Sequence, residues 1–145
     1  MPDSEFSVTV EKENRALSES DTGLSIAVVI AAKNAGAHLG EALESIMNQS
    51  DAPDDVVVFS DGSTDDTLQV AEQFRDRLPN LKLLTAAESV GISQARNRAN
   101  ESVSSDYIAV LDADDLLFQN AIEIYRSFLR ANPDTDLLYG DTHIF

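Results

Sequence analysis

Apolar positions along residues 24–139 switch repeatedly between two rhythms. Short dense runs of β-branched and other apolar residues alternate with longer stretches where the apolar positions recur every three or four residues. The first run, 24–32, holds Ile26, Val28, Val29 and Ile30 among small alanines and predicts a core strand. Residues 37–48 place Leu39, Ala42, Leu43, Ile46 and Met47 on one helical face. A second strand, 56–59, is three valines and a phenylalanine. A helix over 64–78 would bury Leu68, Ala71, Phe74 and Leu78. Strand 81–84 follows, then a helix over 92–103 with Ile92, Ala95 and Ala99 inward. Strand 107–111 reads as buried and covered on both faces. A helix over 118–131 carries Phe118, Ala121, Ile122, Tyr125, Phe128 and Leu129, and 136–139 is a last short strand. Turn residues punctuate each switch: Asn34 and Gly36, Pro53, Gly62, Pro79, Gly91 and Pro133. Strand and helix in strict alternation predict an α/β fold with a mostly parallel sheet and helices on both faces, of Rossmann-like type.

In open α/β sheets, ligands sit beyond the carboxyl ends of the strands. Polar residues gather at three of those ends: Asn34 after the first, Asp61 after the second, and Asp112 and Asp114 after the fourth. Asp112 and Asp114 are two apart, so extended backbone points them the same way, about 6–7 Å apart. A pair of hard oxygen ligands suits Mg²⁺ or Mn²⁺, with substrate phosphates and water completing the shell. Asp61, before the Gly62 turn, suits either a ligand N–H or an Asx-turn. Ser63 or Thr64 is placed to cap the following helix, with Asp65 and Asp66 favourable for its dipole. Arg96 suits a pair with Asp112 or a phosphate, and Lys33 suits a phosphate or plain solvent. His38 and His143 read as structural or surface residues.

Composition narrows the functions. A net charge of −16 leaves little scope for the basic face that nucleic-acid binding needs. No cysteine means no disulfide framework and no thiolate chemistry. No apolar run is long enough to span a bilayer, and the N-terminus has no basic-then-apolar leader, so a cytoplasmic location is expected. Residues 1–23 are acidic and aperiodic, and read as a mobile or loosely docked extension in which Phe6, Val8 and Val10 could form a short edge strand. Neither a G-x-G-x-x-G nor a Walker-type Gly-Lys-Ser/Thr motif is present.

Six segments in order resemble the N-terminal, nucleotide-binding half of a family-2 inverting glycosyltransferase with the GT-A fold. They are Val-Val-Ile-Ala-Ala-Lys-Asn (28–34), Ala-Leu-Glu-Ser-Ile-Met-Asn-Gln-Ser (42–50), Ser-Asp-Gly-Ser-Thr-Asp-Asp-Thr (60–67), Gly-Ile-Ser-Gln-Ala-Arg-Asn (91–97), Leu-Asp-Ala-Asp-Asp (111–115) and Tyr-Gly-Asp (139–141). The resemblance covers nearly everything beyond the acidic extension, so 24–145 is expected to be one nucleotide-sugar-binding domain. It implies that Asp61 receives the nucleobase, usually uracil, and that Ala31, Ala32 and Asn34 line the nucleoside pocket. It further implies that Asp112 and Asp114 form a D-x-D metal motif, with Asp112 also near the ribose, and that Arg96 faces the diphosphate. Two departures stand out: Ala31-Ala32-Lys33-Asn34 replaces the family's Pro-Ala-Tyr-Asn, and Ser60 replaces an acid.

The implied donor is a nucleoside-diphosphate sugar, with UDP as the expected nucleotide and Mn²⁺ or Mg²⁺ as cofactor. The implied reaction is transfer to an acceptor hydroxyl with inversion. The acceptor is a saccharide or another hydroxyl compound of unknown identity. The family's catalytic base follows the Tyr-Gly-Asp segment, so it is expected beyond Phe145, and the chain reads as a donor-binding part that is slow or inactive alone. Homo-oligomerisation is an open expectation. The alternatives are a non-catalytic nucleotide-sugar-binding or interaction domain, and an aspartate-based phosphotransfer enzyme. The latter fits poorly, because such an enzyme wants a Thr or Val shortly after the aspartates and a later Lys, where this chain has Leu116 and Leu117 and no such lysine.

Overall fold

The computed structural model describes residues 9–11 and 23–140. Strand β1 (Thr9–Glu11) stands apart and pairs antiparallel with β6 (Leu137–Tyr139) in a two-stranded ribbon. The main sheet is four parallel strands, β2 (Ile26–Ala32), β3 (Asp55–Asp61), β4 (Leu81–Ala86) and β5 (Tyr107–Val110), in the order β4-β3-β2-β5. Four helices separate and follow these strands: α1 (Gly36–Met47), α2 (Thr67–Glu72), α3 (Ile92–Glu101) and α4 (Ala121–Ala131). Of the edge strand expected at Phe6, Val8 and Val10, Val10 lies in β1; Phe6, Val8 and the rest of 1–22 lie outside the described residues, as do Asp141 and His143.

The central strands read as unbroken apolar runs because both of their faces are covered. Val28, Ile30, Val56 and Val58 meet Leu39, Leu43 and Ile46 of α1 and Ile122 and Leu129 of α4 on one face. Val29, Val57 and Phe59 meet Ala95 and Ala99 of α3 on the other. Alanines one helical turn apart let α3 lie close to the sheet.

Four expectations change. Strand β5 is the sheet edge, and only one of its faces packs. Ile108 is 37% and Val110 52% exposed, because α3 lies over β2 and β3 and does not extend over β5. The helix expected over 64–78 is regular only from Thr67 to Glu72, and turns carry Phe74 and Leu78 into the core. The helix expected from 118 begins at Ala121, which leaves Phe118 54% exposed; Ile92, expected inward, is 52% exposed at the first turn of α3.

One buried charge was not among the expected core residues. On the apolar stripe of α4, between Ile122 and Leu129, sits Arg126. Its Nε donates to Asp51 Oδ2 at 2.7 Å, its Nη1 to Asp54 Oδ2 at 3.0 Å and to the Leu24 carbonyl, and its Nη2 to the Ala52 carbonyl at 2.9 Å. Asp54 Oδ2 also accepts the Ile26 N–H at 2.7 Å. The guanidinium therefore ties α4 to the approach to β2 and to the turn before β3. Removing it leaves the Asp51 carboxylate and the Leu24 and Ala52 carbonyls without this donor, and Asp54 with the Ile26 N–H but no counter-charge. Arg126→Ala is expected to lower the unfolding free energy by about 3 kcal/mol in urea titration. Arg126→Lys should recover only part of this, because an ammonium cannot reproduce the planar fork. A loss below about 1 kcal/mol would show that water satisfies those oxygens equally well.

Candidate nucleotide-sugar site

The carboxylate of Asp61, the last residue of β3, is 3% exposed and is held by the loop that leads into α3. Its Oδ1 accepts the Val90 N–H at 2.6 Å; its Oδ2 accepts the Ser89 hydroxyl at 2.7 Å and the Gly91 N–H at 3.0 Å. Ser89 Oγ in turn accepts from Lys33 Nζ at 3.1 Å. Burial pushes the Asp61 carboxyl up. The Val90 N–H, the Ser89 hydroxyl, the Gly91 N–H and the Lys33 charge together outweigh it and hold the group below its ordinary value. This is a bridge between loops and not an Asx-turn. Gly62 makes the approach possible. Its φ is +61°, and a Cβ there would lie 2.5 Å from the Ser89 backbone nitrogen.

The loops after β2 and β3 are also tied to each other. Asn34, with φ 50°, accepts the Thr64 N–H on its Oδ1 at 2.8 Å and donates its own N–H to Ser63 Oγ at 3.1 Å. Thr67 Oγ1 accepts the Ala35 N–H at 2.8 Å, and Asp65 Oδ2 accepts the Gly36 N–H at 3.0 Å. Thus Asp65 serves both helix starts: its Oδ1 accepts the N–H of Thr67, the first residue of α2, at 3.0 Å, as the sequence suggested, and its Oδ2 reaches across to α1. The Ala35 and Gly36 N–H groups at the start of α1 are spent on the protein, as are those of Val90 and Gly91 before α3. These donors are therefore not waiting for an anion, which helix N-termini at a sheet edge would otherwise suggest.

After β5 the chain alternates. Leu111 and Ala113 tuck into the core, and Asp112 and Asp114 face outward between them. Both carboxylates line a cleft of about 410 Å³ together with Asn34, His38 and Arg96. The Arg96 guanidinium on α3 donates to Asp112 Oδ1 in a half-exposed ion pair. A smaller pocket of about 170 Å³ lies alongside, walled by Ala31, Ala32, Asp61, Ser89 and Gly91. Ala31, Lys33 and Ile92 border both, so the two cavities adjoin. All the residues singled out for the site, Ala31, Ala32, Asn34, Asp61, Arg96, Asp112 and Asp114, border one or other of them. Of the two options open to Arg96 from sequence, the structure shows the pair with Asp112.

Among the described residues no third carboxylate or histidine joins Asp112 and Asp114 in a cluster able to hold a metal by itself. Two hard oxygen donors beside a cleft still fit a cation of the Mg²⁺ or Mn²⁺ type, which takes few protein ligands and completes its shell with water and phosphate. Sequence reasoning missed the role of residues 89–91 in holding Asp61. The glycine at 91, with φ 89°, was the available signal that the backbone turns sharply there.

Comparison with known proteins gives this arrangement a family. The profile of "Glycosyl transferase family 2" matches residues 27–140. The chain belongs to glycosyl transferase family 2. Among family relatives, the Escherichia coli (strain K12) protein "Uncharacterized glycosyltransferase YibD" is 33% identical over 98 residues, covering 68% of this chain and 28% of that protein. "Succinoglycan biosynthesis protein ExoU" of Rhizobium meliloti (strain 1021) is 39% identical over 93 residues, covering 64% of this chain and 27% of that one. The crystal structure of S. aureus TarS 1-349 in complex with UDP-GlcNAc superposes with a TM-score of 0.71 at 27% identity, over 76% of this chain and 32% of that one. The chain thus spans about a third or less of the length of these relatives. The fold is GT-A, and no helix among the described residues is long and apolar enough to cross a membrane.

The depressed Asp61 carboxyl of this family-2 domain has a consequence for stability. Because its folded value lies below its unfolded one, its charge contributes in full above the ordinary carboxylate range, and the contribution fades as pH falls through the folded value. Asp61→Asn puts an amide NH₂ against N–H or O–H donors and is expected to cost about 2 kcal/mol at pH 7. Thermal melts from neutral to strongly acidic pH should show the gap to wild type narrowing as the acid limit is approached. A gap that stays constant would mean that the charge on Asp61 is not its source.

Proposed function

We propose that this domain binds the donor of a glycosyl transfer reaction, a UDP-sugar, with the uracil in the smaller pocket and the diphosphate in the larger cleft beside Asp112 and Asp114. The observation that carries this reading is the adjoining of the two cavities, one closed by a buried carboxylate and the other flanked by two outward-facing ones, in a chain of this family. TarS, the similar structure above, is solved with UDP and with UDP-GlcNAc.

The state of Asp61 supports uracil. An ionised carboxylate has about four lone-pair directions. Three are taken by Ser89, Val90 and Gly91, which leaves one on Oδ1. Uracil offers a single N–H between two carbonyls and needs one acceptor. Guanine offers two adjacent N–H donors and would leave one of them unpaired, at a cost that discriminates strongly in a closed site. Ala31 and Ala32 supply small, flat walls, and Asn34 fixes the loop beneath the ribose. Lys33 and Arg96 concentrate positive charge in a protein whose net charge is −16.

In this reading Asp114 and Asp112 are the residues that would hold a divalent cation, Asp112 directly or through water. The cation's contribution is to offset charge on the leaving diphosphate. The residues of this chain hold the base, orient the ribose and diphosphate, and present the anomeric carbon to an acceptor hydroxyl for displacement with inversion. The nucleotide reading has a direct test. Calorimetric titration with UDP should show binding in Mn²⁺ that is lost in EDTA and in Asp114→Asn. Asp61→Ala should weaken it about tenfold or more, and GDP should bind more weakly than UDP. No UDP binding in Mn²⁺, or GDP binding as well as UDP, would overturn the proposal.

A further inference from the structure

The ion pair between Arg96 and Asp112 falls where the donor-site reading puts a cation. The oxygen of Asp112 that accepts from Arg96 is one that a divalent ion would claim, and the guanidinium already supplies the positive charge beside it. Neither partner is deeply buried: the Arg96 side chain is 38% and that of Asp112 53% exposed. Such pairs are held weakly and exchange readily. The guanidinium is nonetheless confined. It projects from α3, whose Ala95 and Ala99 pack against β2 and β3, and it lines the same cleft as Asp112. Lys33, the other strongly basic side chain of this cleft, is bonded to Ser89. Arg96 is therefore the cation in direct competition for Asp112.

We infer that Arg96 gates the metal position: it competes with a divalent cation for Asp112 until a diphosphate draws it away. The inference rests on the donor-site reading for the second half of that statement only. A cation arriving alone must displace the guanidinium and then sit beside its charge. When a diphosphate arrives, its oxygens offer the planar fork a bidentate partner stronger than one half-exposed carboxylate oxygen. With the guanidinium transferred to phosphate, Asp112 is available to the cation. Metal and nucleotide then raise each other's affinity by the same factor, as linkage requires. Arg96 acts here as a positioning residue, and it makes the two ligands bind together.

The test is a titration of Mn²⁺ followed by the paramagnetic resonance of the free ion, on the full chain, with and without UDP. Arg96→Ala should bind Mn²⁺ alone roughly five- to tenfold more tightly than wild type, from the loss of the competing pair and of the adjacent charge. The gain should vanish in Arg96→Ala/Asp112→Asn, which separates it from Mn²⁺ held elsewhere on an acidic surface. UDP should raise Mn²⁺ affinity by a larger factor in wild type than in Arg96→Ala. Arg96→Gln replaces the alanine variant if circular dichroism shows the latter unfolded. Equal Mn²⁺ affinity in wild type and Arg96→Ala, or a gain that survives in the double variant, overturns the inference. Absence of UDP binding with the metal gain intact overturns the donor-site reading and the coupling with it, but leaves the competition at Asp112 established.

Discussion

Everything at the carboxyl edge of the sheet depends on keeping one charge buried. Asp61 ends a central strand, where its carboxylate has little access to water, and an ionised group in that position must be hydrogen-bonded by the protein. The donors come from thirty residues downstream, so satisfying the charge also fixes the path of 89–91 and the start of α3. That path in turn sets one wall of the smaller pocket and the place from which Arg96 reaches Asp112. A single desolvated group thus couples the geometry of two loops and a helix at this edge.

The same economy runs through the rest of the site. The starts of α1 and α2 and the turns before them are bonded to one another through Asn34, Ser63, Thr64, Asp65 and Thr67. What faces the larger cleft includes a small set of charged side chains on loops that are tied to one another. Discrimination between ligands then falls to side chains, and the frame does not need to reorganise to receive them. On the opposite side of the molecule Arg126 does for α4 what Asp61 does for α3: one buried ion ties a helix to strand ends far from it in sequence.

Much of this was legible in the residues. Valine runs bounded by turn residues gave the parallel strands, and the small-residue helix between Gly91 and Glu101 was readable from Ala95 and Ala99. The outward pairing of Asp112 with Asp114 followed from alternation alone. What was not legible depended on partners distant in sequence. Nothing local in Tyr107-Ile108-Ala109-Val110 distinguishes a central strand from an edge strand with one open face; that depends on how far α3 extends over the sheet. Asp65 reads correctly as a start signal for the helix that follows, where it accepts the Thr67 N–H, but nothing local reveals that Gly36 approaches its other oxygen. Arg126 was a missed signal of a different kind, since an arginine on the stripe of Ile122 and Leu129 announces a buried ion pair. The bridge from Asp61 to residues 89–91 had only its two glycines to betray it.

The order of the strands also has a consequence in time. Strand β2 finds β3 about thirty residues later, but its other neighbour, β5, is far off: Ser25 and Asp106, which bond across that junction, are 81 positions apart. At ordinary rates of synthesis the interval between them is on the order of ten seconds. Through it, one edge of the most apolar strand in the protein lacks its partner, and an unpaired edge of that kind is a template for other chains. The acids of residues 112–115 emerge only after the partner strand, so the growing chain completes its sheet before it can assemble the larger cleft. Protection of that one edge during synthesis is therefore a demand that the topology itself places on the cell.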